Sequence, residues 1–230
     1  MNYKIKYQKG GFDYDSNSSS ESELDTLSSE KDYKTQLLKI PIIYFDFFMK
    51  TFNLIADDPK CIRTNKDIEN AVTEWLADPI TGTEKYCHIR NWDTSRVTDM
   101  QDLFMNQDTF NEDISKWNVS SVTDMGGMFY EAKAFNQPLE TKVVYKRDGS
   151  YYTAWDVSSV TYMNGMFIKA EAFNKNINSW NVSSVTSMKE MFTDAKSFDQ
   201  NIDSWNVKAT VDKTNMFNGS AISQLPSWYP

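Results

Sequence analysis

"SWNVSSVTSMKEMF", residues Ser179–Phe192, decides how this chain is read, because the chain spells it more than once. "KWNVSSVTDMGGMF" begins at Lys116 and "AWDVSSVTYMNGMF" at Ala154. One chain rarely spells a catalytic centre three times, so the string reads first as a structural unit. Trp92, Trp117, Trp155, Trp180 and Trp205 mark the copies, at intervals of 25, 38, 25 and 25 residues. The longer interval is one 25-residue unit carrying a 13-residue insertion. Self-similarity at a fixed period of this size signals a stacked repeat architecture.

Counted from each tryptophan, the same positions are apolar from copy to copy, with exceptions in the first and last. Two residues on stand Val119, Val157, Val182 and Val207, with Thr94 in the first copy. Five on stand Val97, Val122, Val160 and Val185, and eight on Met100, Met125, Met163 and Met188. Leu103-Phe104, Met128-Phe129, Met166-Phe167, Met191-Phe192 and Met216-Phe217 follow, then Phe110, Phe135, Phe173 and Phe198, then Ile114, Leu139, Ile177 and Ile202. A single unit of this size cannot close a core around these side chains, but stacking can, since each unit covers the next. The Trp, Met and Phe columns are therefore expected in the core rather than around a cofactor.

Within one unit, Ile114, Trp117 and Val119 have the spacing of a short strand, in which residues two apart share a face. Trp117 and Val119 then point inward, and Lys116, Asn118 and Ser120 outward. Met125, Met128, Phe129 and Ala132 fall at i, i+3, i+4 and i+7, one face of a short helix or tight turn, with Ser121 or Thr123 available as its cap. The last copy has Thr210 and Lys213 where Val and Met stood, which reads as the worn outer face of a terminal unit. Leu225 and Trp228, beyond it, are available to cover remaining apolar surface.

The unit W-[DN]-V-S-S-V-T-x-M-x-x-M-F-x-x-A-x-x-F-N-x-x-I resembles the 25-residue repeat of bacterial BspA-type surface proteins, in the version first described as a mycoplasma domain of unknown function. It also resembles the I-P-x-x-V-x-x-I-x-x-x-A-F pattern of BspA leucine-rich repeats. The resemblance spans about Tyr86 to Asn218, and "DIENAVTEWL" with "YCHIRNWD" is similar to the usual lead-in of such arrays, with Cys87 where glycine is common. It implies a leucine-rich-repeat-like α/β solenoid of short parallel strands and short helices or turns behind N-terminal capping helices. It also implies surface adhesion or binding. The opening "MNYKIKYQKGG" is similar to the Lys/Tyr-rich starts of proteins from large DNA viruses.

Outside the array the chain divides by composition. Residues 1–35 are rich in serine and acid and bury too little to offset the entropy of ordering, so they are expected to be a disordered tail. Ser18, Ser20 and Ser22 each have an acid three residues on, the pattern acid-directed kinases favour; an unmodified solvated tail is the plainer reading. Residues 36–85 are expected to be helical. In "IPIIYFDFFMKTFNLI" (Ile40–Ile55), Phe45, Phe48, Phe52 and Ile55 share a stripe, and further apolar residues surround it. Such a helix packs against the rest of the chain or docks on a partner or a membrane surface. In "TNKDIENAVTEWLA", Ile68, Val72, Trp75 and Leu76 share a helix face that Thr64 or Asn65 starts and Asp78-Pro79 ends, and this helix is expected to cover the open end of the array. The array itself takes residues 86–220, with the insertion at 141–153, and residues 221–230 form a C-terminal tail or cap.

The net charge of −8 over 230 residues argues against a nucleic-acid binder. Cys61, Cys87 and the single histidine, His88, are too few for a structural zinc site. The two cysteines either form one disulfide in an oxidising compartment or remain thiols. No signal peptide stands at the N-terminus, and the Ile40–Ile55 run falls short of a membrane span. The default expectation is an intracellular monomer without a cofactor, a cell or particle surface being the alternative the resemblance offers. The N-x-S/T strings at Asn17, Asn118, Asn181 and Asn218 say nothing of secretion, since two are simply the repeat.

No nucleophile–base pair, glycine-rich phosphate loop or metal-ligand spacing occurs, so the chain is expected to be a binding protein rather than an enzyme. A protein partner is expected, with a surface or glycan ligand as a variant. A second function class is an assembly component docking through residues 40–55. Two places are candidates for contact. The insertion holds "VVYKRDGSYY", two strand-like runs about Asp148-Gly149, a hairpin signal. Its Tyr145, Lys146, Arg147, Tyr151 and Tyr152 are offered for recognition. The residues after the tryptophans, Asp93, Asn118, Asp156 and Asn181, form a polar column. That column serves either recognition or hydrogen bonding to neighbouring backbone.

Overall fold

The structure is a computed structural model of the whole chain, which divides into two units, Met1–Phe48 and Met49–Pro230. It describes residues 58–146 and 148–230, all within the second unit. The serine- and acid-rich tail and the apolar Ile40–Ile55 segment therefore lie outside the described residues.

The first described part is a cap. Strand β1 (Ile62–Thr64) leads to helix α1 (Ile68–Ala77), whose buried face is Ile68, Ala71, Val72 and Trp75. Asp78 ends α1 and starts helix α2 (Pro79–Tyr86), its side chain accepting the Ile80 amide with Pro79 in the first turn. Pro79 was expected only to end a helix, but a proline just inside a helix start costs no hydrogen bond. A disulfide joins Cys61 to Cys87, with 5.2 Å between the Cα atoms. Cys87 has φ +66°, a left-handed backbone that glycine adopts most easily. Strand β1 pairs in parallel with β2 (Asp93–Arg96) of the first repeat. Arg63, itself buried, lies over the rings of Tyr86 and Trp92, 4.9 and 5.3 Å from their centroids, and pairs with Asp67 at 2.9 Å. It is thus the lid of the first tryptophan.

From Trp92 onward the columns counted in the sequence are columns in space. Phe104, Phe129, Phe167, Phe192 and Phe217 stack with centroids 5.4 to 5.7 Å apart. Phe110, Phe135, Phe173 and Phe198 form a second column, each ring about 4 Å from the first-column ring of its own copy. Trp92 stacks on Trp117, and Trp155, Trp180 and Trp205 stack in turn. The Met and Val side chains between them are buried as well, except Val207, which is half-buried. Each buried indole still satisfies its N–H: Trp117 donates to Ile89 O, Trp155 to Ile114 O, Trp180 to Leu139 O and Trp205 to Ile177 O.

Copies are joined by backbone rather than by conventional strands. Parallel single-residue bridges run Asp99–Asp124–Tyr162–Ser187–Asp212. From there, amides eight, ten, twelve and fourteen residues past one tryptophan donate to carbonyls seven, nine, eleven and thirteen past the next. Met125, Gly127, Phe129 and Glu131, for instance, donate to Tyr162, Asn164, Met166 and Ile168. Four junctions carry sixteen such bonds, between 2.7 and 3.0 Å. The amides eleven and thirteen past tryptophan turn back three residues within their own copy, as Met128 does to Met125 and Tyr130 to Gly127. The positions ten and fourteen past tryptophan are left-handed in every copy: Asp102, Gly127, Gly165, Glu190 and Asn215, then Asn106, Glu131, Lys169, Asp194 and Gly219. Two left-handed residues per unit rule out an α-helix. The M-x-x-M-F stretch is therefore a chain of tight turns, the second of the two forms its spacing allows.

Two expectations inside the repeat need correction. Trp117–Val119 carries no strand, although Trp117 and Val119 are buried and Asn118 is half-exposed. Lys116, expected outward, is buried at 8% exposure because the insertion covers it. At the far end, Val211 fills the valine place that Thr210 was taken to have lost, one residue later in register. Trp228 extends the tryptophan column, 6.2 Å from Trp205, and donates to Ile202 O. Leu225, by contrast, is 52% exposed.

Candidate functional site

The insertion builds a hairpin, β3 (Lys142–Tyr145) and β4 (Tyr151–Ala154), paired antiparallel with Val144 opposite Tyr152 and Tyr145 opposite Tyr151. At its tip the Asp148 side chain accepts from Ser150, and Gly149 takes φ +80°. Alternation gives the ribbon two faces. Val144, Tyr152 and Ala154 turn toward the core; Val144 and Ala154 are buried. Val143 and Tyr151 turn away from it and are 52% and 53% exposed, and Tyr145 shares their face. The Tyr145 ring stands 6.0 Å from that of Tyr151.

The inward face is bolted to the array. The Tyr152 hydroxyl donates to Lys116 O, and Lys142 Nζ donates to Ser115 Oγ at 2.7 Å. Thr141 donates its amide to Ser179 Oγ at 3.0 Å. Lys146 Nζ reaches Asp93 at 3.5 Å and lies 5.7 Å from the Tyr152 ring centroid. Burial, with Asp93 nearby, raises the Tyr152 phenol well above its ordinary value and keeps it a hydrogen-bond donor. Burial pushes Lys116 down to about 8, against the pull of Asp113. The Asp93 carboxyl is pushed up by burial, but hydrogen bonds from Ser95 and the charge of Lys146 outweigh this and hold it below the ordinary carboxylate range.

Of the expected contact residues, the structure brings Asp93, Lys146 and Tyr152 together, but as the hairpin's anchor. Tyr145 and Tyr151 are on the outward face. Arg147 lies outside the described residues. In the polar column, Asp93, Asn118, Asp156 and Asn181 each accept the amide of the residue two positions on: Ser95, Ser120, Ser158 and Ser183. These are local turns within one copy, not bonds to a neighbouring copy. A second polar series, Asn111, Asn136, Asn174 and Asp199, does bridge copies. The side-chain oxygen of each accepts the amide of the next: Asn136, Asn174, Asp199 and, last, Ser223. Val143 was missed as a contact residue; strand alternation from buried Val144 marks it.

Among the described residues, one group has metal-ligand proximity, Asp58 with Cys61 and Cys87, and the disulfide occupies both sulfurs. His88 accepts the Arg90 amide through Nδ1 and sits edge-on to Trp75. No helix of the described residues is long and apolar enough to cross a membrane.

The family described as "Mycoplasma protein of unknown function, DUF285" matches the chain twice, over residues 80–148 and 149–228. The two matches meet at the hairpin tip. No curated protein and no solved structure matches the chain.

Proposed function

The chain belongs to the DUF285 family, and on that premise we propose that it is a non-enzymatic, protein-binding repeat module, a leucine-rich-repeat-like solenoid of the BspA type. The observation that carries the binding reading is the outward hairpin face. Val143 and Tyr151 hold large apolar surface in water on a ribbon whose other face is fastened to two repeats. Exposed apolar and aromatic groups on a pre-organised element lose little entropy when they are covered. The side chains of chemical interest serve structure: His88 caps a turn, Lys116 lies under the hairpin, and the column of Asp and Asn residues closes local turns.

The test is a double substitution, Val143→Ser with Tyr151→Ser, which leaves Val144, Tyr152 and the anchor intact. Partners recovered with the wild-type chain from its native source, and identified, should bind the variant at least about tenfold more weakly, with melting unchanged. Equal affinity would remove the hairpin from the binding site.

A further inference from the structure

The backbone ladder is open at its first rung. In later copies, the carbonyls seven, nine, eleven and thirteen residues past tryptophan accept amides from the copy before. In the first copy these carbonyls belong to Asp99, Gln101, Leu103 and Met105, and no hydrogen bond ends on any of them. The cap pairs only with the earlier part of this rung, through β1 on β2 and through Asn65 on Thr98. Beyond Thr98 the edge faces a cleft of about 710 Å³ whose opposite wall is α1, with Val72 and Leu76 on its apolar side. Glu69, Asp99 and Asp102 line it, and among the described residues no lysine or arginine does.

We propose that this cleft binds one extended segment of a partner protein, apolar and basic, which adds a rung to the ladder. The proposal rests on the binding-module reading but uses a different face from the hairpin, so the two fail separately. Four unpaired acceptors at two-residue spacing require a chain with donors at the same spacing. The sixteen bonds within the array show what such a chain looks like: left-handed residues at two of the four donors, four apart, and apolar side chains between. The acidic lining selects positive charge. The acceptors form a single row beside α1, which one extended chain matches.

The probe is the synthetic peptide TYMNGMFIKA, the sequence of residues 161–170. In the array its Met163, Gly165, Phe167 and Lys169 amides make the four rung bonds to the next copy, and it carries one lysine and no acid. Titrated into the full-length chain, labelled peptide should bind saturably. N-methylation at the amides corresponding to Gly165 and Phe167 should weaken it about tenfold or more. Leu76→Arg should do the same. The exposed pair Glu69→Gln with Asp102→Asn, which leaves the apolar wall intact, should weaken binding several-fold at low salt and less at high salt. The hairpin double substitution should leave binding unchanged. Absent binding, or equal binding of the N-methylated peptide, would overturn the proposal. Self-association of the free chain that Leu76→Arg abolishes would overturn it in favour of a second copy.

Discussion

Each copy carries two left-handed residues at these positions, and only three of the ten are glycine. Holding Asp102, Glu190 or Lys169 in that conformation costs roughly 1 kcal/mol each relative to glycine. What offsets the cost is the ladder, since each such residue in the first four copies donates its amide to the next copy. Lys116 shows a different cost, a charge under a hairpin. Its folded pKa, about 8, lies below the ordinary 10.5, so the unfolded chain holds more protons between those values. Stability should therefore rise with pH across that window. Lys116→Met keeps the buried stem and removes the charge. It should be more stable than wild type by about 1–3 kcal/mol at pH 7, and the gap should shrink by pH 10.5; denaturant titrations at both pH values measure this. The core columns were legible in the sequence because period alone defines them. Lys116 was not, because the side chains covering it come from an insertion outside the period.

Among the elements, the cap and the hairpin break the repeat, and they were read unequally well. Asp148-Gly149 announces a turn and the flanking runs alternate, so the hairpin follows from local chemistry. Helix α2 falls within the helical stretch expected over residues 36–85 but was not picked out as a second helix, because Asp78-Pro79 is both a stop and a start, and only packing decides. A side chain at Gly82 would sit 2.6 Å from Trp75 Cα, so α2 packs directly on α1. Cys61 and Cys87, left open between a disulfide and two thiols, are brought together because β1 and the lead-in to Trp92 are neighbours. The bond closes a loop across a separation of 26 residues. Replacing both cysteines by serine should cost about 3–4 kcal/mol of stability on the chain-entropy account. Reduction of the wild type should lower its melting temperature to near that of the variant, whereas an unchanged melting temperature would show that the cap does not depend on this bond.

At the scale of the molecule, repetition makes one set of interactions serve many times. Stacked Phe and Trp columns supply the buried apolar area, indole N–H groups and the Asn111–Asn136–Asn174–Asp199 series satisfy backbone, and the alternate-amide ladder binds copy to copy. The ladder itself was not legible, since the i, i+3, i+4, i+7 spacing that it shares with a helix does not reveal the backbone's hand. Its two ends explain the remaining features: one is partly sealed by Trp228 and Tyr229, the other is open beside α1. Amide hydrogen exchange tests the ladder most directly. Asp102, Gly127, Gly165 and Glu190 lie in turns, and Asp102 has an exposed side chain, yet their amides are the rung donors. They should be protected to near the global unfolding limit, while Asn215 and Gly219, the same positions in the last copy, exchange fast. Rapid exchange at Asp102, Gly127, Gly165 and Glu190, at the rate of ordinary exposed turns, would contradict the account.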